Sequence, residues 1–561
     1  MTSAIAARAP ALRLRPDLWR LAATAIAVAM LLPLLALGWS ALQGSEGLWS
    51  HIAVYVLPRS ALNTVLLLAG VGALVVAIGT GAAWLVTAYE FPGRRFASWA
   101  LLLPLAVPTY IIAFAYLDLL HPLGPVQGTL RAVLGIDSPR DFRLPDIRSL
   151  IGCILLLGFV LYPYVYLTTR AMFMTQAASL LEAARSLGAS PVRVFMRVAL
   201  PMARPAIAIG AALALLETLN DIGASEFLGV QTMTVAVYTT WVTRSDLPGA
   251  SQIALAMLAI VVVLIVVERY GRRRQRYSAT QRPRPMRPLQ LSGPRAWVAL
   301  GLAIAPVLIG FAIPAAYLTW ETVERLGNGG ISVQLLESAR NTLLVALAAT
   351  AATVAAGLAV AWALRLAQGR RQARLAALNL RVASLGYAVP GTVLAIGLLV
   401  PLAWFDDGAN LVIQAFGGAP RMVLMGSATA LVIAYMLRFL AISAGGIEAG
   451  LTRIPRSLDQ AAASLGHSPA AALRRVHLPL LGPAMAAAAL LVFVDTMKEL
   501  PATLLLRPLN FETLATWLYA EASRGTYEEG AVAALMIVLV GLLPVVLLAR
   551  TGLSYGRERT S

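Results

Sequence analysis

Apolar runs of about twenty residues dominate the chain, and each is long enough to cross a bilayer as a helix. Because 59% of the 561 residues are hydrophobic and only 13% are charged, we predict an all-α integral membrane protein with about twelve transmembrane helices. The first six runs lie near residues 18–42, 60–88, 97–120, 149–172, 203–222 and 250–268. The second six lie near residues 296–320, 340–364, 382–404, 423–444, 481–498 and 530–550.

The distribution of charge predicts how the chain crosses the membrane. The net charge is +18, and arginine clusters fall on alternate connections, which is the asymmetry that the positive-inside rule associates with the cytoplasm. This places both termini in the cytoplasm and attributes the basic excess to topology and to contact with membrane lipid, with no nucleic-acid partner. The connections concerned are residues 1–17, 89–96, 173–202, 269–295, 365–381, 445–480 and 551–561.

A polar stretch occurs twice, as residues 179–201 (SLLEAARSLGASPVRVFMRVALP) and, 278 positions later, as residues 457–479 (SLDQAAASLGHSPAAALRRVHLP). We call these the first knob and the second knob. The same interval relates Asn63-Thr64 to Asn341-Thr342, and Ala106-Val107-Pro108 recurs 282 positions later as Ala388-Val389-Pro390. The chain is therefore predicted to be a duplicated half. Its parts are a first domain at 1–268, a basic cytoplasmic linker at 269–295 and a second domain at 296–561.

Each knob carries the start and stop signals of two short helices. They are a capping box, a glycine that ends the first helix, a Ser-Pro pair that begins the second, and a Leu-Pro pair that ends it. In the first knob these are Ser179 with Glu182, then Gly188, Ser190-Pro191 and Leu200-Pro201. In the second knob they are Ser457 with Gln460, then Gly466, Ser468-Pro469 and Leu478-Pro479.

The knobs resemble the EAA loop of permeases from binding-protein-dependent ABC importers, which combines Glu-Ala-Ala, a later glycine and a final Leu-Pro. The first knob matches that loop at Glu182, Ala183, Ala184, Gly188, Val198, Leu200 and Pro201. The second knob matches at Ala461, Ala462, Gly466, Val476, Leu478 and Pro479, with Gln460 in place of the glutamate.

This resemblance implies a fold of two fused six-helix type I ABC importer transmembrane domains in a bacterial inner membrane. It also implies partners: two cytoplasmic ABC ATPase subunits, which would receive the knobs as coupling helices, and a periplasmic substrate-binding protein. The alternative is an inert loop in which Glu182 only caps a helix. An inert loop, however, has no need to repeat its glycine and proline positions.

A polar cluster closes the apolar run after each knob. Ionisable groups at the end of a span are costly and usually face a cavity or one another. In the importer family the span after the coupling loop lines the translocation path, so the resemblance implies substrate contact; interfacial charge at a helix end is the alternative. The clusters are Glu217, Asn220 and Asp221 in the first half and Asp495, Lys498 and Glu499 in the second. Tyr162, Tyr164 and Tyr166 could also meet a hard cation, or could lie at the membrane interface.

The sequence offers no catalytic machinery. Its only lysine is Lys498, so it has no Gly-Lys-Ser/Thr loop to hold the phosphates of ATP. Cys153 is the only cysteine, and no nucleophile–base pair or metal-ligand spacing is evident. We therefore expect no enzyme activity, no metal site and no cofactor on this chain, with ATP on the partner subunits. Two other classes remain open: a six-plus-six secondary transporter, which leaves the knobs unexplained, and a membrane-embedded structural partner.

The fused two-half architecture resembles the importers of ferric iron and of thiamine, with polyamine and phosphonate systems as more distant relatives. Three stretches look most like the ferric type, which implies iron(III) as the cargo. The residues alone leave the other substrates open, together with the form in which iron arrives. The stretches are residues 113–117 with 124–127, residues 161–167, and residues 502–508.

Overall fold

The computed structural model describes residues 18–45, 47–175, 178–272, 288–367 and 369–557. The basic N-terminal segment 1–17 and most of the linker predicted at 269–295 lie outside these residues. In the first half the α-helices are α1 Leu18–Leu42, α2 Leu48–His51, α3 Leu57–Ala88, α4 Arg94–Ala100, α5 Thr109–Leu119, α6 Pro125–Leu134, α7 Leu150–Thr175, α8 Ala178–Ser186, α9 Pro191–Val194, α10 Leu200–Asn220, α11 Gly223–Phe227, α12 Met233–Val242 and α13 Leu247–Arg272.

The second half repeats this order. Its α-helices are α14 Pro294–Val307, α15 Ile313–Asn328, α16 Val333–Leu366, α17 Gly369–Ala383, α18 Gly391–Ala415, α19 Ala428–Thr452, α20 Ser457–Ser464, α21 Pro469–Ala472, α22 Leu478–Met497, α23 Pro501–Leu506, α24 Leu514–Arg524 and α25 Tyr527–Arg557. Strands β1 Tyr89–Glu90 and β2 Leu289–Gln290 pair in parallel, which ties the chain after α3 to the chain that enters α14.

The predicted membrane fold is confirmed. Among the described residues, eleven helices are long and apolar enough to cross a membrane, or twelve if one bent pair counts as a single span. Several spans are longer than the apolar runs suggested: the run at 60–88 belongs to a continuous helical stretch, Leu48–Ala88. The extension includes a π-helical turn at Ile52–Val56.

The repeated Ala-Val-Pro sequence breaks a helix in each half. Val107 is extended (φ −110°, ψ 121°), because the ring of Pro108 disfavours a helical conformation in the residue before it. The helices on either side, Arg94–Ala106 and Thr109–Leu119, are bent by 92°. In the second half a 3₁₀ turn at Ser384–Tyr387 precedes the break, and Pro390 stands directly before α18. The runs predicted at 97–120 and 382–404 are therefore not single straight spans.

The described residues pack into two compact units. One unit comprises the described residues within Met1–Leu32, Thr350–Tyr387 and Met436–Val492, and its core includes Trp362, Ile447 and Leu481. The other comprises Pro33–Ala349, Ala388–Tyr435 and Phe493–Ser561, and its core includes Val71, Phe114 and Leu157. The first knob lies in the larger unit and the second knob lies in the smaller unit.

Small residues allow the helices of the larger unit to approach closely. A Cβ atom added at Gly79 of α3 would lie 2.8 Å from the carbonyl oxygen of Tyr162 in α7. A Cβ atom added at Gly210 of α10 would lie 2.6 Å from the Cα atom of Val165, also in α7. Both distances are shorter than real Cβ contacts, so α7 is held between α3 and α10 by backbone packing of the kind that membrane helices favour.

Candidate coupling loops and substrate path

The first helix of each knob ends in the same backbone motif. Gly188 and Gly466 have left-handed conformations, with φ of 79° and 77°, as the sequence predicts. The N–H of Gly188 bonds to the carbonyl of Arg185 and that of Ala189 to the carbonyl of Ala184, which is a Schellman motif. In the second knob, Gly466 bonds to Ala463 and His467 to Ala462. Two different sequences therefore form one turn.

The second helix of each knob begins as predicted. Pro191 and Pro469 occupy the first helical position, where a missing N–H costs nothing. The Ser468 hydroxyl accepts a hydrogen bond from the N–H of Ala471 at 3.3 Å. Ser190 has the same extended backbone but no side-chain cap bond. The turn is thus fixed mainly by the backbone and by proline.

The capping box predicted at Ser457 and Gln460 is wrong. The N-cap of α20 is Arg456, and its side chain makes no cap bond. The carbonyl oxygens of Pro455 and Arg456 already accept bonds from the N–H groups of Leu458 and Asp459, so Ser457 has entered the helix. The side chain of Ser179 lies outside the described residues, so the equivalent box in the first knob stays a prediction.

The helix stops predicted at Leu200-Pro201 and Leu478-Pro479 are also wrong. A π-helical turn precedes each pair, at Phe195–Ala199 and at Leu473–His477, and the helix continues beyond the proline. In the wide turn, the N–H of Leu200 bonds to the carbonyl of Phe195, five residues back. The following proline, which has no N–H, is then accommodated without the loss of an α-helical bond.

Each knob is therefore continuous with the span that follows it. The uninterrupted helical stretches are Pro191–Asn220, of 30 residues, and Pro469–Met497, of 29 residues. A displacement of the knob must therefore displace the start of the span, since no loop separates the two. This continuity is the geometric link between the coupling-loop residues and the polar clusters at the opposite ends of the spans.

Both knobs expose apolar side chains at equivalent positions. Leu187 is 88% exposed and Leu465 is 76% exposed, each directly before the turn glycine. Glu182 and Gln460 are also exposed, as are Ala183 and Ala461, whereas Ala184 and Ala462 face inward. An exposed leucine next to an exposed polar residue, present twice, is a surface suited to a protein partner.

Tryptophans at equivalent positions support the two knobs in different ways. In the first half, the ring of Trp84 contacts the rings of Phe173 and Phe195, with centroids 5.4 and 5.2 Å away. In the second half, the ring of Trp362 lies 4.8 Å from the buried ring of His477. The tryptophan of the first half therefore packs on two phenylalanines, whereas the tryptophan of the second half packs on a histidine.

An ion pair between the buried Arg365 and the half-buried Asp459 holds the second knob to its own unit. The Arg365 guanidinium donates to Asp459 Oδ2 and to the backbone carbonyls of Leu451 and Ile454. The other carboxylate oxygen of Asp459 lies 2.6 Å from His477 Nε2. Arg365 and Asp459 are 94 positions apart, so sequence reasoning missed the pair. The corresponding position to Arg365 in the first half is Thr87.

In the polar cluster of the first half, Asp221 caps the next helix. Thr109 donates to one carboxylate oxygen at 2.5 Å, and the backbone N–H and hydroxyl of Ser225 donate to the other. Asp221 is 7% exposed. Its carboxylate therefore connects the end of α10, the start of α5 and the short helix α11.

Glu499 has the same role in the second half. Its carboxylate accepts the N–H groups of Ala502 and Thr503 at 2.9 and 3.0 Å, together with the Thr503 hydroxyl at 2.6 Å. Glu499 is 5% exposed. Both equivalent carboxylates thus satisfy the free N–H groups at the start of a short helix, where negative charge is favourable. Their oxygens are engaged by the protein itself.

The remaining residues of the polar clusters lie close by. Asp495 forms an ion pair with Lys498 at 2.9 Å, and both side chains are about one quarter exposed. Glu217 is half-buried on α10. Among the described residues, no group of three or more His, Cys, Asp or Glu side chains is arranged to hold a metal ion.

The polar clusters also join the two halves within the larger unit. The Asn220 side-chain oxygen accepts the N–H of Gly391, the first residue of α18, at 2.8 Å. In the equivalent place, the Tyr110 hydroxyl donates to the carbonyl oxygen of Lys498 at 3.3 Å. Each span that follows a knob therefore ends against the broken helix of the other half.

The three tyrosines considered from sequence all lie on α7. Tyr162 and Tyr166 are fully buried in α7, and the Tyr166 hydroxyl donates to the carbonyl oxygen of Ser98 at 2.6 Å. A different pair, Tyr238 of α12 and Tyr519 of α24, does converge, and the Tyr519 hydroxyl donates to the Glu226 carboxylate. Burial raises the pKa of Glu226 above its usual value, although the bond from Tyr519 opposes that effect.

Comparison with known proteins agrees with this geometry. The profile of the family described as binding-protein-dependent transport system inner membrane component matches residues 73–277 and, a second time, residues 359–551. The Fe(3+)-transport system permease protein FbpB 2 of Haemophilus influenzae is 27% identical over 545 residues, which are 96% of this chain and 99% of that protein. A probable ABC transporter permease protein of Sinorhizobium fredii, y4fN, is 26% identical over 96% of both chains.

Other relatives match only part of the chain. A putative 2-aminoethylphosphonate transport system permease protein of Salmonella typhimurium, PhnU, is 31% identical over 46% of this chain and 93% of its own length. The two family matches cover well over half of the sequence and fall on the two halves that the internal repeat defines. The chain therefore belongs to the family of inner membrane components of binding-protein-dependent transport systems, as an ABC importer permease whose two halves are fused.

Proposed function

We propose that this permease carries iron(III) across the inner membrane, receives it from a periplasmic binding protein and is driven by two separate cytoplasmic ATPase subunits. The observation that carries the mechanism is the continuity of each knob with the span behind it. An ATPase that docks on the exposed face of a knob would move the far end of that span directly. Because the chain lacks a phosphate-binding Gly-Lys-Ser/Thr sequence, ATP is hydrolysed on the partners.

The orientation follows from charge. Arginine-rich connections, including both knobs, face the cytoplasm, and the polar clusters at the ends of α10 and α22 face the periplasm. The ATPase contact then consists of the exposed residues of the two knobs, with Glu182 and Gln460 as the polar members. The turn glycines and the prolines maintain the backbone conformation of the two knobs.

We assign the substrate path to the polar clusters at the ends of α10 and α22, both of which lie in the larger unit. Glu217 and Asp495 are half-buried and supply oxygen atoms near the path. Asp221 and Glu499 hold its wall in place, because their oxygens already bond to the short helices α11 and α23. A permease must release what it receives, so weak contacts serve it better than a closed coordination site.

Iron(III) is favoured as cargo by the similarity that spans nearly the whole chain. The Haemophilus influenzae relative, named for Fe(3+) transport, matches 96% of this chain, whereas the phosphonate-system relative matches 46%. A half-length match reflects the shared permease domain and carries less information on the substrate. Phosphonate, thiamine and polyamine are the alternatives.

Transport in proteoliposomes tests the proposal. The permease, its ATPase and its binding protein are reconstituted, and labelled iron(III), thiamine and 2-aminoethylphosphonate are offered in separate assays. We expect iron uptake that requires both ATP and the binding protein. Uptake of another substrate with no iron uptake would refute the cargo and leave the permease class intact. Uptake by the chain alone under an ion gradient would instead indicate a secondary transporter.

A further inference from the structure

Two tyrosines at equivalent positions of the two halves meet within the larger unit. Helices α12 and α24 both begin after a threonine N-cap, Thr232 and Thr513, which are 281 positions apart. The same interval separates Tyr238 from Tyr519, so the two tyrosines occupy corresponding positions on corresponding helices. They lie in the same compact unit.

The two helices are held by matching contacts. The side chain of Asn63 donates to the carbonyl oxygen of Gln231, and that of Asn341 donates to the carbonyl oxygen of Glu512, both at 3.1 Å. The hydroxyls of Thr64 and Thr342 accept the first N–H groups of α12 and α24, at 2.9 and 2.8 Å. Equivalent contacts in the two halves therefore place the two tyrosine-bearing helices.

Three oxygen donors converge at this point. The rings of Tyr238 and Tyr519 lie edge to face, with centroids 6.5 Å apart. The Tyr519 hydroxyl also bonds to the Glu226 carboxylate, and Phe227 stacks on the Tyr519 ring at 5.5 Å. Tyr519 is 9% exposed, while Tyr238 and Glu226 are half-buried. Both halves of the chain thus contribute to one cluster.

We propose that Glu226, Tyr238 and Tyr519 form a transient site for a hard trivalent metal ion, iron(III), on its way into the permease. This inference rests on the proposed function. Hard cations prefer oxygen ligands, and phenolate and carboxylate are the anionic oxygen donors that a protein can supply. Burial raises the pKa of Tyr238, and the charge of Arg507, which is ion-paired with Glu512, opposes that effect.

Binding is a ligand exchange without electron transfer. The ion loses three water or carrier ligands and gains bonds to the two phenolate oxygens and to the carboxylate, and each phenol releases its proton to water. Water or the carrier's own ligands fill the remaining coordination positions. Because the protein supplies only three donors, the site holds the ion weakly, as a site of passage requires.

Absorption spectroscopy tests the site directly, because an iron(III)–phenolate bond produces a visible charge-transfer band. Iron(III) citrate is titrated into the purified permease–ATPase complex. We expect a visible band with the unaltered protein and a loss of affinity of at least about tenfold for Y519F and for Y238F. The control is Y55F, which removes the hydroxyl of an exposed tyrosine outside the cluster and should leave the band unchanged.

The phenylalanine variants keep the aromatic packing on Phe227, and retention of the ATPase subunits shows that they are folded. An absent band in the unaltered complex, or an unchanged band in the Y238F/Y519F variant, would overturn the site. So would a variant that shows raised basal ATP hydrolysis with the band intact, since the tyrosines would then only latch the two halves. Failure of the proposed cargo is a separate result: the unaltered complex would move no iron into proteoliposomes.

Discussion

Gly188 and Gly466 show how a single residue can fix the shape of each knob. Both have positive φ, and a Cβ atom added at either would meet no atom within 4 Å. Glycine is thus required by the backbone conformation, while the space around it is open. The exposed Leu187 and Leu465 depend on this turn for their direction.

We expect Gly188→Val to weaken coupling. A β-branched residue in the left-handed conformation costs about 1 kcal/mol or more, and the turn should rearrange so that Leu187 leaves its position. Substrate-stimulated ATP hydrolysis should fall while membrane insertion stays normal. The matched control is Gly482→Val, at a glycine with equally open space but ordinary helical φ in α22. Normal coupling in the Gly188→Val, Gly466→Val double variant would contradict the coupling role.

Arg365, Asp459 and His477 distinguish the second knob at the residue scale. The Arg365 side chain is 8% exposed, so its charge depends on Asp459 and on the backbone carbonyls around it. The first half has Thr87 and Ala199 at the positions of Arg365 and His477. The two knobs therefore share a backbone but not their electrostatics.

At the scale of helices, the π turn before each Leu-Pro pair keeps the second helix of a knob continuous with the span that follows it. A proline in an α-helix normally breaks it, because its ring removes a hydrogen bond and clashes with the preceding turn. Here the wide turns at Phe195–Ala199 and Leu473–His477 absorb the disruption, and the helix remains continuous. The knob and the span can then move as one body.

Two glycines in this turn should disconnect the knob from the span. We expect M196G/R197G, at two exposed positions, to cost about 2 kcal/mol of helix stability and to make the turn flexible. ATP hydrolysis should then depend less on the loaded binding protein, and transport per ATP should fall. The control M196A/R197A removes the same side chains but keeps a strong helix former. Equal behaviour of the two variants would refute transmission through a continuous helix.

At the scale of the molecule, the duplicated halves are joined by equivalent contacts within the larger unit. The span after the first knob ends where Asn220 accepts the N–H of Gly391, and the span after the second ends where Lys498 accepts from Tyr110. Each contact meets the helix break made by an Ala-Val-Pro sequence of the opposite half. The helix that begins in each knob therefore ends in contact with the other half.

We expect Asn220→Ala to weaken this junction. The N–H of Gly391 would lose its partner, at a cost of roughly 1–3 kcal/mol for a buried donor, and the thermal unfolding midpoint and transport should both decrease. Asn220→Asp keeps an acceptor oxygen and should restore both measurements in part. If the alanine variant matches the unaltered protein, or if aspartate gives no rescue, the bond to Gly391 has no part in joining the halves.

Features that depend on neighbouring residues were predictable from the sequence. The apolar runs predicted the membrane helices, because the length of a span is set by bilayer thickness. The positive φ of Gly188 and the helix start at Pro191 also followed, since each depends on the conformational range of one residue. The internal repeat predicted two halves, and the two family matches fall on those halves.

Features that depend on residues far apart in the chain became clear only in the tertiary structure. Pro201 could end a helix or follow a π turn, and only the packed helix shows the second outcome. The hydrogen bonds of Asp221 and Glu499 to short helices appear only in the folded chain, and their place beside a substrate path stays a prediction. Tyr238 and Tyr519 are far apart in the chain and meet only when both halves are folded, because side-chain contacts across a fold depend on packing that no local pattern encodes.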